Sequence, residues 1–139
     1  RLRVPDARLK NDLALIEDRF EALADYAEEA SKKQKAGEAL FSFLERMVKD
    51  GPAKRTLLDE LGVDVRAKMM EWPSKLRVKA AMDSLLAASQ KAGVVRKDIE
   101  ARDVYAVLAG AAAAWDQSAD PKAADRALRL VLDALRVHR

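Results

Sequence analysis

The chain has 139 residues, of which half are apolar and 35% are charged, and its formal net charge is +3. This balance indicates one folded globular domain and excludes intrinsic disorder, which needs far fewer apolar residues. The charge is too small and too dispersed for the dense basic face of a nucleic-acid-binding domain.

Strong helix formers dominate the composition, with only five glycines and four prolines, so we predict an all-α protein. A first helix is predicted over residues 6–31, because apolar residues recur there at alternating spacings of four and three: Leu9, Leu13, Ile16, Phe20, Leu23 and Ala27. A second helix is predicted over residues 36–50, ended by Gly51-Pro52. A short third helix follows at residues 57–61.

Residues that typically cap or break helices separate two predicted helices in the middle of the chain. Asp64 is predicted to cap a fourth stretch that reaches residue 72. Pro73 breaks the path, and Ser74 is predicted to cap a long helix that Gly93 ends. With two further helices downstream, this predicts a multi-helix bundle of about six to seven helices.

The two C-terminal helices, predicted over residues 100–117 and 122–136 with Asp120 as a cap, carry unusual apolar patterns. The first contains a run of small residues from Ala109 to Ala114, which would let another helix approach closely. The second is apolar on more than one face, whereas a surface helix needs a single buried stripe. These patterns favour a twofold homodimer, and packing within one chain is the alternative.

Large, adaptable apolar residues concentrate in the middle of the chain: Phe41, Phe43, Met47, Met69, Met70, Trp72 and Met82. Methionine and aromatic side chains line many pockets that accept a small molecule. The same residues could instead simply fill the core. The pattern alone leaves both interpretations open.

Catalytic and metal-binding chemistry is not expected. The chain has no cysteine, and its one histidine, His138, lies beside the C-terminus, so a zinc site or histidine dyad lacks ligands. The glycines stand alone rather than in a phosphate-binding loop. Acidic neighbours such as Glu28-Glu29 point about 100° apart on a helix and are interpreted as solvated surface. No enzyme activity or cofactor is predicted, and no apolar run approaches the ~18 residues of a membrane span.

The segment from Ala92 to Val104, AGVVRKDIEARDV, resembles a pattern of TetR-family (tetracycline-repressor-like) C-terminal domains. In that pattern Ala-Gly, two apolar residues, Arg, any residue, Asp and an apolar residue precede a short linker and Asp-Val. Leu108-Ala109-Gly110 continues the pattern, and residues 130–136 resemble the family's usual ending. Residues 1–20 resemble the exit from the family's helix-turn-helix head. Glu100 departs from the pattern, since the family often has a Thr or Ser cap there.

The resemblance implies that residues 1–139 are the ligand-binding and dimerisation domain of a cytoplasmic bacterial transcriptional regulator, taken here as a repressor. Residues 1–5 would be the remnant of the junction to a missing N-terminal helix-turn-helix head, because the sequence begins at Arg1 rather than Met. Operator DNA would be contacted only through that head, and no membrane is involved. A small apolar effector would move the first helix and shift the dimer away from its DNA-binding state. A dimeric helical adaptor without a ligand is the alternative, and a small helical enzyme is the least favoured.

Helical phase and family analogy together suggest two sets of site residues. The wall of the effector pocket, between the helices of residues 6–92, is predicted to comprise Phe20, Phe43, Leu44, Met47, Leu58, Met69, Trp72, Met82, Leu86 and Tyr105. The dimer interface is predicted to comprise Ala109, Ala112, Ala113, Trp115, Leu128, Val131, Leu132 and Leu135.

Overall fold

A computed structural model describes residues 6–59 and 61–138; for residue 6 and residues 52–57 it describes the backbone alone. The predicted junction at residues 1–5 lies outside this described part. The described residues form a bundle of six α-helices and one short 3-10 helix (Asp133–Leu135): α1 (Asp6–Lys33), α2 (Ala36–Asp59), α3 (Val63–Met69), α4 (Pro73–Lys91), α5 (Ala101–Gln117) and α6 (Pro121–Leu132). The prediction of an all-α bundle is confirmed.

The core lies where α1, α2 and α4 pack against one another, and α5 joins it through α2. α6 packs mainly against α5. The apolar stripe predicted for α1 faces this core: Ile16, Phe20, Leu23 and Ala27 are buried, and Leu9 and Leu13 are half-buried.

The second helix continues through Gly51-Pro52, where we predicted its end. α2 runs from Ala36 to Asp59, so residues 57–59 belong to it and no separate third helix forms there. A proline inside a helix removes one backbone hydrogen bond and costs about 3 kcal/mol. Because the preceding residue is a glycine, it has no Cβ to clash with the proline ring. Packing of α2 against α1, α4 and α5 offsets the remaining cost.

Two predicted helix caps are wrong, although the helices they mark do form. Gly62, not Asp64, is the N-cap of α3, and Asp64 lies in the first turn, where its charge favours the positive helix end. Pro73 occupies the first position of α4, which its fixed φ suits, so the N-cap is Trp72. Ser74 is thereby drawn into the helix and buried.

Gly93 ends α4 as predicted. Its φ of +78° lies in the left-handed region that favours glycine. The N–H of Gly93 donates to the carbonyl of Gln90 and that of Val94 to Ser89, each at 3.1 Å, which is a Schellman ending. The following connector then pairs with the C-terminal segment, since the N–H of Arg96 donates to Leu135 at 3.0 Å.

Acidic side chains start both C-terminal helices. The N–H of Glu100 donates to the Asp103 carboxylate at 2.8 Å. This bond stabilises the first turn of α5 although the family's Thr or Ser cap is absent. The predicted cap of α6 is confirmed, because Asp120 Oδ1 accepts from the N–H of Ala123 at 2.8 Å.

Candidate functional site

All ten residues predicted for the effector pocket belong to one apolar cluster. Six of them are buried: Phe20, Phe43, Leu44, Met69, Met82 and Leu86. The other four are half-buried at its margin: Met47, Leu58, Trp72 and Tyr105. The structure therefore brings the predicted set together, but most of its members serve as core.

Two members of that set, Met47 and Tyr105, line a surface cleft of about 230 Å³ between α2, α4 and α5. We call it the α2–α5 cleft, and its lining is completed by Val48, Gly51, Lys75, Leu108, Ala109 and Ala112. The lining is mainly apolar. Gly51 of α2 and Ala109 and Ala112 of α5 leave room that larger residues would fill. The small-residue run of α5 therefore helps to form the cleft.

Lys75 brings a cation into this apolar cleft. Its ammonium lies 5.2 Å from the centre of the Phe20 ring, within the range of a cation–π contact. Trp72 packs edge-on against the same ring, with the two ring centres 6.3 Å apart. Burial lowers the pKa of Lys75 below its ordinary value, because water is partly removed from the ammonium. The first turn of α4 thus joins the cleft to α1 through Phe20.

Tyr105 supplies the second polar group of the cleft. Burial, and to a smaller extent the negative charge of Asp83, raise the pKa of its phenol above the ordinary value. The hydroxyl therefore stays protonated at neutral pH and can donate a hydrogen bond. Within the part of the chain that the structure describes, no group is hydrogen-bonded to it.

Arg77 ties α4 to α1 just beyond the cleft. Its guanidinium donates to Glu28 at 2.7 Å, to Asp25 at 3.0 Å and to Glu21. The hydrogen bonds that Arg77 donates to Glu28 and Asp25 raise the pKa of Arg77 above its ordinary value. The sequence suggested that Glu28 is only solvated surface. The structure shows that it also accepts a hydrogen bond from Arg77. Because these three carboxylates follow one face of α1, the arginine fixes that face against α4.

The residues predicted for the dimer interface divide into three groups. Leu128, Leu132 and Leu135 are buried in the core of their own chain, with at most 2% of their surface exposed. Ala112, Trp115 and Val131 are half-buried, while Ala109 and Ala113 are exposed. The inward face of α6 and of the 3-10 helix thus packs within its own chain, and only the outward face of α6 is accessible.

The outward face of α5 and α6 is apolar at several positions. Leu130 has 76% of its surface exposed, and Ala113 on α5 is also exposed. A Cβ added to Gly110 would meet no atom within 4 Å. Trp115 is covered partly by Lys49, whose ammonium lies 5.5 Å from its ring centre and 3.4 Å from the Asp125 carboxylate.

Sequence reasoning missed Lys75 and Arg77. A signal for Lys75 existed, since it precedes Val78 by three positions and Met82 by seven and so shares their buried helical face. Arg77 had no local signal, because its partners lie 49 to 56 residues away along the chain.

Across residues 6–59 and 61–138, no helix combines the length and apolarity needed to cross a bilayer. The same residues bring together no group of three or more His, Cys, Asp and Glu side chains suited to a metal ion.

Comparison with known proteins places the chain in a family. Residues 35–137 match the C-terminal domain of SbtR-like transcriptional regulators. The crystal structure of the TetR transcriptional regulator SCO0520 from Streptomyces coelicolor is similar, with a TM-score of 0.65 and 29% sequence identity over 94% of this chain and 71% of that one. No curated protein matches the sequence. The family match covers α2 to the C-terminal segment and includes residues 92–104, so the chain belongs to the SbtR-like C-terminal domains of the TetR family of transcriptional regulators.

Proposed function

We propose that the chain is the effector-binding and dimerisation domain of a TetR-type repressor, and that a compact, mainly apolar effector binds in the α2–α5 cleft. TetR-type regulators generally dimerise and bind small-molecule effectors and DNA. The observation that carries the proposal is the cleft, in which apolar walls surround Lys75 and Tyr105. Apolar concavities with few polar groups are typical of small-molecule sites, whose volumes run from about 300 to 1,000 Å³. The 230 Å³ of this cleft lies just below that range and favours a small ligand.

The first turn of α4 supports a route from the cleft to α1. Lys75 faces the cleft and contacts Phe20 of α1, and two residues later Arg77 binds the α1 carboxylates. An effector that displaces this turn would displace α1 as well. In our proposal α1 leads to a DNA-reading helix-turn-helix head outside this sequence, with residues 1–5 as the junction. The effector then lowers operator affinity by binding more tightly to the DNA-incompetent state.

The outward face of α5 and α6 supports the dimer. Leu130 is a large apolar residue that a second copy of the same face would bury. Gly110 and Ala113 present little side chain, so two α5 helices could approach closely. A twofold arrangement places the same surface of both chains in contact, and it is the commonest form of soluble oligomer.

Fluorescence of Trp72 tests the effector site. The Trp115→Phe variant leaves Trp72 as the one remaining tryptophan, and Phe20 connects its ring to Lys75 in the cleft. Titration of this variant with a library of small apolar molecules should give a saturable change in emission. Ala112→Phe, which fills the cleft, should abolish the response. Ala87→Phe is the matched control, because Ala87 is exposed on α4 and does not line the cleft.

A response that survives Ala112→Phe would place the binding site elsewhere. A flat response across the whole library would contradict the effector proposal and favour a ligand-free dimeric adaptor.

A further inference from the structure

Lys75 has no ion-pair partner in the described part of the chain. The side chain is half-buried, and no described carboxylate forms an ion pair with it. Nearby cations differ, since Lys49 pairs with Asp125 and Arg77 with three α1 carboxylates. Withdrawing an ammonium from water without a counter-ion is unfavourable. The Phe20 ring compensates only part of this cost, because a cation–π contact is weaker than a charge pair.

The helix that carries Lys75 adds to the positive potential. Lys75 lies in the first turn of α4, where the exposed N–H groups give the helix end a partial positive charge. This turn contains no acidic residue, and the N-cap Trp72 supplies no side-chain hydrogen bond. The lysine charge and the helix end therefore act in the same direction, and both favour an anion.

The rest of the cleft is suited to a hydrocarbon body. Met47 and Val48 of α2 and Leu108 of α5 present apolar side chains, while Ala109 and Ala112 leave space between them. The protonated Tyr105 hydroxyl offers a hydrogen-bond donor beside this apolar wall. A cationic ligand would place a second positive charge near Lys75, and a neutral one would leave the ammonium unpaired.

We propose that the effector of the α2–α5 cleft is an amphipathic monoanion, such as a medium-chain carboxylate, whose charged head pairs with Lys75 and whose hydrocarbon body lies against Met47, Val48 and Leu108. This inference rests on the proposed function, because it assigns the chemical class of the effector at the same site. It adds a selectivity for charge, which the apolar walls alone would not produce.

Calorimetric titration of the chain with three probes of equal length tests the inference: octanoate, octanamide and octylamine. A charge-assisted hydrogen bond should make octanoate bind about ten- to hundredfold more tightly than octanamide, and octylamine should bind most weakly. Lys75→Met keeps an apolar side chain of similar length but removes the charge. It should lower octanoate affinity to that of octanamide and leave octanamide affinity unchanged. Lys79→Met is the matched control, since Lys79 is exposed one turn further along α4, and it should alter neither affinity.

Different results would overturn different parts of the reasoning. If octanamide or octylamine binds as tightly as octanoate, the cleft is an effector site but the charge assignment is wrong. If Lys75→Met weakens octanoate and octanamide equally, the lysine contributes packing alone, and the assignment is again wrong. If none of the probes binds and the emission of Trp72 also stays unchanged across the library, the proposed function itself is wrong.

Discussion

Replacing Gly37 with alanine should destabilise the domain by forcing apart α2 and the connector that follows α4. A Cβ at position 37 would lie 2.5 Å from Cγ1 of Val94 and 2.9 Å from both its Cβ and its Cγ2. These distances are far below van der Waals contact and involve the whole Val94 side chain. Val94 has little freedom to retreat, because its N–H donates to Ser89 at 3.1 Å and its carbonyl accepts from Val137 at 3.0 Å.

Two opposing effects set the size of the stability loss expected for Gly37→Ala. Overpacking of this kind costs about 1 to 3 kcal/mol of folding free energy. The higher helix propensity of alanine offsets up to about 1 kcal/mol in a helix interior, and less here, because Gly37 is the second residue of α2. We therefore expect a net loss of about 1 to 2 kcal/mol, or about 3 to 8 °C in Tm for a domain of this size.

Urea denaturation and a thermal melt, both followed by circular dichroism, measure the effect. Gly62→Ala is the matched control, because the added Cβ meets no atom within 4 Å and the φ of −74° suits alanine, and it should cost less than about 1 kcal/mol as the N-cap of α3. Adding Val94→Ala to Gly37→Ala should recover part of the loss, since it removes the closest atom, Cγ1. A Gly37→Ala variant as stable as the parent would show that this close approach of α2 to the connector does not exist.

Three further predictions concern the proposed dimer, the core beneath α6 and the link between α1 and α4. Leu130→Glu should convert the proposed dimer to monomer in sedimentation, whereas Val63→Glu, at a residue 78% exposed on α3, should not. A dimeric Leu130→Glu protein would refute the proposed interface. Leu128→Ala should instead cost about 2 to 5 kcal/mol of protomer stability in urea, because Leu128 is buried in its own core. Arg77→Met should speed amide hydrogen exchange in α1 more than in α6, with a smaller fall in Tm than Leu128→Ala. Equal exchange in α1 with and without the arginine would show that its ion pairs do not hold the helix.

Several features that depend on local interactions occur where the sequence predicted them. The stripe of α1, the glycine at 93 and the Asp120 cap depend on residues within about one helical turn of each other, and all three occur where they were predicted. The residues predicted for the pocket are a different case. These ten residues do share one cluster, because apolar helix faces must meet in the core, but the periodicity could not separate core members from those lining a cleft.

The sequence by itself determined the all-α class and several helix ends, because side-chain periodicity and caps act between near neighbours. It also carried the family pattern at residues 92–104. Only the tertiary structure decided that α2 continues through Gly51-Pro52, since the packing that offsets the lost hydrogen bond comes from other helices. It also decided which apolar residues of α6 face inward. The placement of Lys75 in an apolar cleft and of Arg77 on α1 depends on residues about 50 positions apart. Contacts at such separations follow from how whole helices pack, which local sequence does not encode.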